Sequence, residues 1–327
     1  MKHVSLGLGA LALFTAAVAF SRPDKPGELA VKHEKRNPWT SLRMNNEPDE
    51  FQFAVVADRT GGHRPLVFSR AVERLNLLQP EFVITVGDLI EGGKRTDAQL
   101  EAEWQQFDGY VKRLQMPFFF VTGNHDVGTA RTTAMWRNRY GRLQFHFVYR
   151  NVLFLCLNSD DPPRSGRTGN LGNDQLSWAK KTLADNAGVR WTFVIVHKPM
   201  WKAPDLKKNG WATIERSLAG RPYTVFCGHV HAYQKFVRQG QNYYQVATTG
   251  GESKMRGIGH GEFDHIVWVT MKKDRPVLAN LLLDSILPDD LKVPESSEEG
   301  IPTEDRRPTF PVRGVAYLDG APIRVVE

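Results

Sequence analysis

Three observations predict an α/β fold for this 327-residue chain. Short runs rich in Val, Ile and Phe recur along it and stop abruptly at polar residues, the pattern of strands covered on both faces. Amphipathic stretches of helical period separate the earlier runs, the alternation expected of strand–helix units. The composition, 41% hydrophobic and 24% charged, is that of an ordinary globular chain and excludes collagen-like, coiled-coil and wholly disordered classes.

The elements follow in order. Lys2 and His3 give a short positive start, residues 4–20 an uncharged apolar run, and Ala17-Val18-Ala19 a small-residue cleavage pattern. Residues 1–20 therefore read as a signal peptide, and the protein as exported, periplasmic or extracellular. The alternative is an uncleaved membrane anchor formed by residues 4–20. Residues 21–50 are polar, without a sustained period, and read as an extended lead-in. Strands are predicted over 51–57, 82–86, 117–122, 152–157, 191–196, 223–227, 243–247 and 266–271, and helices over 66–78, 97–114 and 173–185. Val67, Ala71, Leu75 and Leu78 recur at 4, 4 and 3 spacing in the first helix. Asp97 and Asn173 open the other two as candidate caps. A Gly- and Pro-rich loop covers 158–172. Residues 51–286 form the main domain, and 287–327 a Pro-rich acidic linker ending in a hairpin that turns at Asp319-Gly320.

Charge and cysteines narrow the classes further. Lys and Arg total 43 against 36 Asp and Glu, a net +7, although the stretch from Asp284 to Asp305 carries eight acids against the single base Lys292. The body is thus more basic than the net suggests, which suits an anionic substrate, with a solvated basic exterior as the bland alternative. Only Cys156 and Cys227 are present, both inside apolar runs, which excludes a disulfide-stapled miniprotein and a thiolate zinc cluster. They read as buried core thiols. No nucleic-acid recognition motif is present, and nothing beyond residues 4–20 is apolar enough for a membrane.

The chemistry lies where the strands stop. The run 51–57 ends at Asp58, 82–86 at Gly87-Asp88, 117–122 at Gly123-Asn124-His125-Asp126, 191–196 at His197, and 223–227 at Gly228-His229-Val230-His231. In open α/β sheets, ligands bind beyond the carboxyl ends of the strands. Carboxylate, amide oxygen and imidazole together suit borderline or hard divalent ions such as Mn, Fe, Zn or Mg. Two ions about 3.5–4 Å apart can flank a phosphoryl group and stabilise both attacking and leaving oxygens.

This set resembles the calcineurin-like metallophosphoesterase superfamily, whose pattern runs D-x-H, G-D, G-N-H-[DE], a lone H and G-H-x-H. The resemblance spans roughly residues 51–271 and rests most firmly on Gly123-Asn124-His125-Asp126 and Gly228-His229-Val230-His231. It implies a β-sandwich of two mixed sheets flanked by α-helices, a four-layer α/β/β/α arrangement, with a dinuclear centre of two divalent metal ions. It also implies roles. Asp88 would bridge the ions, Asp58 and His231 would bind the first, and Asn124, His197 and His229 the second. A hydroxide held between the ions would attack phosphorus, His125 would assist the leaving group, and Asp126 would orient His125. The implied substrate is a phosphomonoester or phosphodiester, a small molecule or nucleotide-like ester.

One departure stands out, because the family's D-x-H histidine is Thr60 here. Either Thr60 contributes through its hydroxyl or a held water, or His63 swings in on the Gly61-Gly62 turn, or the first site is weak. Arg59 is a candidate for gripping substrate phosphate, a structural ion pair being the even alternative. Two other classes compete with the hydrolase: a non-catalytic binding protein with an altered first site, and a structural protein that uses its C-terminal segment for attachment.

Overall fold

The computed structural model describes residues 48–162 and 169–286, together with Trp39 and Asn45. The signal peptide, most of the lead-in, residues 163–168 of the long loop, and the acidic linker with its hairpin lie outside the described residues. The chain divides after Glu47, and the account below concerns the unit that starts at Pro48.

Two sheets form the centre of this unit. The first has the order β11 (Pro276–Leu282), β10 (His265–Met271), β1 (Phe51–Val56), β2 (Phe82–Thr85) and β3 (Phe118–Phe119). Its β1–β2 and β2–β3 pairs are parallel, and β10 runs antiparallel to both β1 and β11. The second has the order β4 (Phe145–Tyr149), β5 (Val152–Leu157), β6 (Trp191–Val196), β7 (Tyr223–Cys227), β9 (Gln241–Gln245) and β8 (Gln234–Arg238). Its four inner strands are parallel and its two outer pairs antiparallel.

Period-2 alternation of apolar residues explains the layering. Phe51, Phe53 and Val55 of β1 enter one core with Phe154 and Cys156 of β5 and Phe193 and Ile195 of β6, so this core lies between the sheets. The intervening Ala54 and Val56 enter a second core beneath α1 (Val67–Leu78), α2 (Asp97–Val111) and, after the short α3 (Asn124–Val127), α4 (Ala130–Tyr140). Leu153, Leu155 and Leu157 enter a third core under α5 (Asn173–Asp185) and α6 (Trp211–Ser217). The result is the expected four-layer α/β/β/α sandwich. Its middle is aromatic: Phe53 lies 5.1 Å from Phe82, stacked, and 5.1 Å from Phe154, edge-on. Truncating one such buried ring to Ala costs about 3–5 kcal/mol.

Several expectations need correction. The run 117–122 forms only a two-residue strand. Three strands went unpredicted, β4, β8 and β11, and so did α3, α4 and α6. Asp97 and Asn173 do not cap their helices. Thr96 caps α2, its hydroxyl accepting from Gln99 N–H while the Gln99 side chain accepts from Thr96 N–H, and Gly172 precedes α5 without a side-chain cap. Both cysteines are buried free thiols, Cys156 in the inter-sheet core and Cys227 in the core beneath α5 and α6. Among the described residues, no helix is long and apolar enough to cross a membrane.

Candidate metal centre

The parallel strands β1, β2 and β3 of the first sheet and β6 and β7 of the second end at one edge, and the residues that follow them meet there. Asp88, His197 and His229 each offer a ligand atom, and these atoms lie within 4.8 Å of one another. His197 Nε2 is 3.0 Å from Asp88 Oδ2 and 3.1 Å from Asn124 Oδ1. Asp58 Oδ1 is 3.4 Å from His231 Nε2 and accepts the His229 backbone N–H at 2.8 Å. A side chain from the end of β1, β2, β3, β6 or β7 is thus present at every contact.

The backbone is bent to achieve this. Asp88, His229 and His231 all have positive φ, at 58°, 71° and 58°. Such conformations cost an L-residue free energy and cluster at functional sites. Close backbone approach does the rest. A Cβ on Gly123 would lie 2.2 Å from Asp88 N, and one on Gly228 would lie 2.1 Å from Asp58 Oδ2, so both positions require glycine.

Each imidazole is aimed by a main-chain carbonyl. The Nδ1–H of His197 donates to Val86 O at 3.0 Å, that of His231 to Glu252 O at 2.7 Å, and that of His125 to Glu91 O at 2.7 Å. This leaves Nε2 of each ring turned toward the carboxylates, the device that fixes tautomer and orientation in metal-ligating histidines. His125 Nε2 stands 4.0 Å from Asp88 Oδ2, and its backbone N–H donates to Asp88 Oδ1 at 2.8 Å.

Electrostatics fit a cation. Asp58 Oδ2 is buried without a hydrogen-bond donor, a costly position for a charged oxygen unless an ion faces it. Burial alone would raise the Asp88 carboxyl, but the adjacent His197 holds it well below the usual carboxylate range. Burial opposes protonation of His197, yet Asp88 and Asp58 push it up to about 9. Burial likewise opposes protonation of His231, which Asp58 pushes up to about 9. Burial and neighbouring His197 push His229 down to about 3. Two carboxylates, an amide oxygen and three imidazoles are a donor set for divalent ions, and a bound ion would take the place of the protons on His197 and His231.

Two predicted roles are overturned. Arg59 does not face the cleft. It is buried, donates to Leu89 O at 2.8 Å and to Gln106 Oε1, and lies over the Phe107 and Tyr110 rings in the helix layer. Asp126 does not orient His125, because the carbonyl of Glu91 does. Asp126 instead accepts four backbone N–H groups, from Asp88 at 2.9 Å, Gly123 at 2.8 Å, Leu89 at 2.8 Å and Ile90 at 3.2 Å. It acts as a scaffold beneath Asp88.

Thr60 is buried, and its hydroxyl donates to the backbone carbonyls of Asp88 and Ile90, at 3.1 and 2.7 Å. His63 is exposed, with its backbone N–H on the Glu91 carboxylate. The group around Asp58 and His231 therefore gains no imidazole from this turn. Sequence reasoning missed Glu91, which holds both the His125 ring and the 61–63 turn, and Lys254, which lines a cleft of about 380 Å³ with Asp88, His125, His229, His231 and Glu252. The signal was present for Lys254, since it lies two residues beyond the glycine-rich turn 248–252.

Comparison with known proteins agrees with this geometry. The model of the calcineurin-like phosphoesterase family matches residues 52–233. The chain is similar to the serine/threonine-protein phosphatase CPPED1 of Mus musculus, 29% identical over 230 residues that cover 62% of this chain and 73% of the relative. It is similar as well to the 3′,5′-cyclic adenosine monophosphate phosphodiesterase CpdA of Escherichia coli strain K12, 24% identical over 175 residues, 50% of this chain and 60% of the relative. Among solved structures, a dimetal phosphatase from Danio rerio superposes with a TM-score of 0.52 at 13% identity, over 71% of this chain and 96% of that one.

Proposed function

Because the chain belongs to the calcineurin-like phosphoesterase family, and is thereby a metal-dependent phosphoester hydrolase, we propose that it cleaves its ester in the cleft between Asp88, His125 and Lys254. Asp88, Asn124, His197 and His229 would hold one divalent ion, and Asp58, Asp88 and His231 the other. The observation that carries this reading is the convergence of Asp88, His197 and His229, from three different strands, to within 4.8 Å.

Divalent ions bound there supply Lewis-acid polarisation of the phosphoryl oxygens and lower the pKa of water at neutral pH. Mn, Fe, Zn and Mg all suit the donor set. The chain's own residues do the rest. His125 is held by Nδ1, so the proton it can deliver sits on Nε2, on the cleft side, where it neutralises the leaving alkoxide. Asp126 keeps Asp88 in place through the backbone, and the carbonyls of Val86 and Glu252 keep His197 and His231 aimed. Lys254 offers a cation to the substrate phosphate at the mouth. The cleft is open, and relatives include both a protein phosphatase and a cyclic-nucleotide phosphodiesterase, so monoester and diester substrates are both proposed.

The test is turnover of p-nitrophenyl and bis-p-nitrophenyl phosphate with Mn, Fe or Zn supplied, beside the Asp88→Asn variant. Metal-dependent release of nitrophenol, lost in the variant, is expected. Metal-loaded protein that turns over neither ester would favour the binding-protein reading, which the altered Thr60 position supports. Export is proposed from residues 1–20. Mature protein recovered outside the cytoplasm with its N-terminus near Phe20 is the expected outcome, and full-length protein in the membrane fraction supports the anchor instead.

A further inference from the structure

A second cavity opens directly off the metal centre. It measures about 510 Å³, within the range of small-molecule sites, and its described lining is mostly apolar, with Pro199, Met200, Ala203 and Val230 beside Lys202 and His229. His229 lines both this groove and the cleft beside it, so the two are continuous at a metal-ligating side chain. Building on the proposed hydrolase reading, we propose that this groove is the subsite for the alcohol portion of the ester, and that it selects an apolar aryl or alkyl group.

The walls are preformed. The turn that carries Pro199 to Ala203 starts at Lys198, whose buried ammonium is paired with the buried Asp160 carboxylate at 2.7 Å. Met200 N–H donates to Lys198 O at 2.8 Å, and Asn209 Nδ2 donates to Met200 O at 2.8 Å. Gly169 comes down so close that a Cβ there would stand 2.3 Å from Met200 Sδ. Val230 is flanked by His229 and His231, both in left-handed conformations, and its side chain is left exposed between them. Val230 is 45% exposed, an apolar surface left bare between two metal-ligand residues.

Little in the groove's described lining favours a polyanionic or zwitterionic alcohol. Lys202, the one lysine among its described lining residues, has Nζ 2.7 Å from Gln245 Oε1 and 4.7 Å from the centre of the Phe236 ring, neutral partners that hold the ammonium toward the neighbouring wall and leave its charge intact. A second phosphate or a carboxylate entering the groove would find Lys202 as its one lysine among the described lining residues and otherwise a mostly apolar surface. A flat aryl group would meet the exposed Val230 methyls and the Ala203 methyl, contacts that suit it.

The test separates this from hydrolysis itself by using phosphonates, which remove any leaving-group effect on rate. Inhibition constants against p-nitrophenyl phosphate are measured on the full chain with Mn for 1-naphthylmethylphosphonate, methylphosphonate and a phosphonate analogue of phosphoserine. At least a tenfold advantage for the naphthyl compound is expected, in line with what an apolar pocket discriminates. Ala203→Glu and Val230→Asp, which place a charge at two points of the lining, should each erase most of that advantage. Equal inhibition by all three, tightest inhibition by the phosphoserine analogue, or an advantage that survives both substitutions would overturn the proposal. If no ester is turned over, calorimetric titration of the same three phosphonates onto the Mn-loaded chain gives the same comparison, and the hydrolase reading then fails separately.

Discussion

Replacing Asp126 with Asn tests the structural role assigned to that carboxylate. Its two oxygens each accept two backbone N–H groups, Oδ2 from Asp88 and Gly123, and Oδ1 from Leu89 and Ile90. An amide turned either way keeps one acceptor and sets an NH₂ against two N–H donors. Burial and neighbouring Asp88 raise the Asp126 carboxyl to about 7, so the comparison is made at pH 8.5; there two charge-assisted bonds are lost, at about 1.5–3 kcal/mol each, and Asp126→Asn should cost about 3–6 kcal/mol. The residue is fully buried, so solvent screening does not reduce this. At about 2–4 °C per kcal/mol for a domain of this size, the midpoint of thermal unfolding should fall by at least about 6 °C. Circular dichroism during heating and in urea reads the loss, and metal affinity should fall with it, because the peptide that carries Asp88 is released. If Asp126 instead served His125 alone, stability would hold within about 1 kcal/mol and only kcat would drop. That result would refute the scaffold argument.

Other perturbations probe separate parts of the molecule. Calorimetric titration with Mn should show one tight and one weaker equivalent, because Thr60 spends its hydroxyl on backbone carbonyls; Thr60→His should tighten the second, and two equal sites in the parent chain would contradict this. Burial pushes His265 down to about 4, against about 6.5 in the unfolded chain, with Ala247 N–H donating to its Nε2. Between those values the unfolded chain binds a proton that the fold does not, so stability should fall as pH drops from about 6.5 to 4, by roughly 3 kcal/mol from this group. The stability gap between the parent and His265→Gln should therefore narrow by that amount over the window, and a constant gap would count against it. Lys198→Met should destabilise by about 3–5 kcal/mol by leaving Asp160 charged and alone, whereas Lys198→Met with Asp160→Asn should recover most of the loss in urea unfolding; equal single and double losses would show that the pair is not coupled.

What could be read from the sequence follows burial. The strands covered on both faces, such as β5 and β6, are continuous apolar runs, and their ends coincide with the predicted ones. The six carboxylate, amide and imidazole residues stood out because each lies within four residues of the end of an apolar run. The edge strands β4, β8 and β11 have exposed positions alternating with half-buried ones, so segments such as Gln234–Arg238 carry too little apolar signal to be recognised. The helix Ala130–Tyr140 buries only Thr132, Thr133 and Trp136 and is otherwise polar, which hid its period. The roles of Asp126 and Arg59 were illegible for another reason. Adjacency in sequence placed each beside a site residue, but the turn after β3 points Asp126 back at the loop after β2, and Arg59 leaves β1 toward α2. Where a side chain goes at a strand end depends on φ, as at Asp88 and His231, and residue type alone does not specify it.

The central claim is that these strand ends build one paired cation site. An anomalous-difference map from crystals of the chain soaked in Mn²⁺ tests it most directly. Two peaks that share the Asp88 carboxylate are expected, one also facing Asn124, His197 and His229 and the other Asp58 and His231. Manganese bound elsewhere, or no peak within coordination distance of Asp88, would contradict the account.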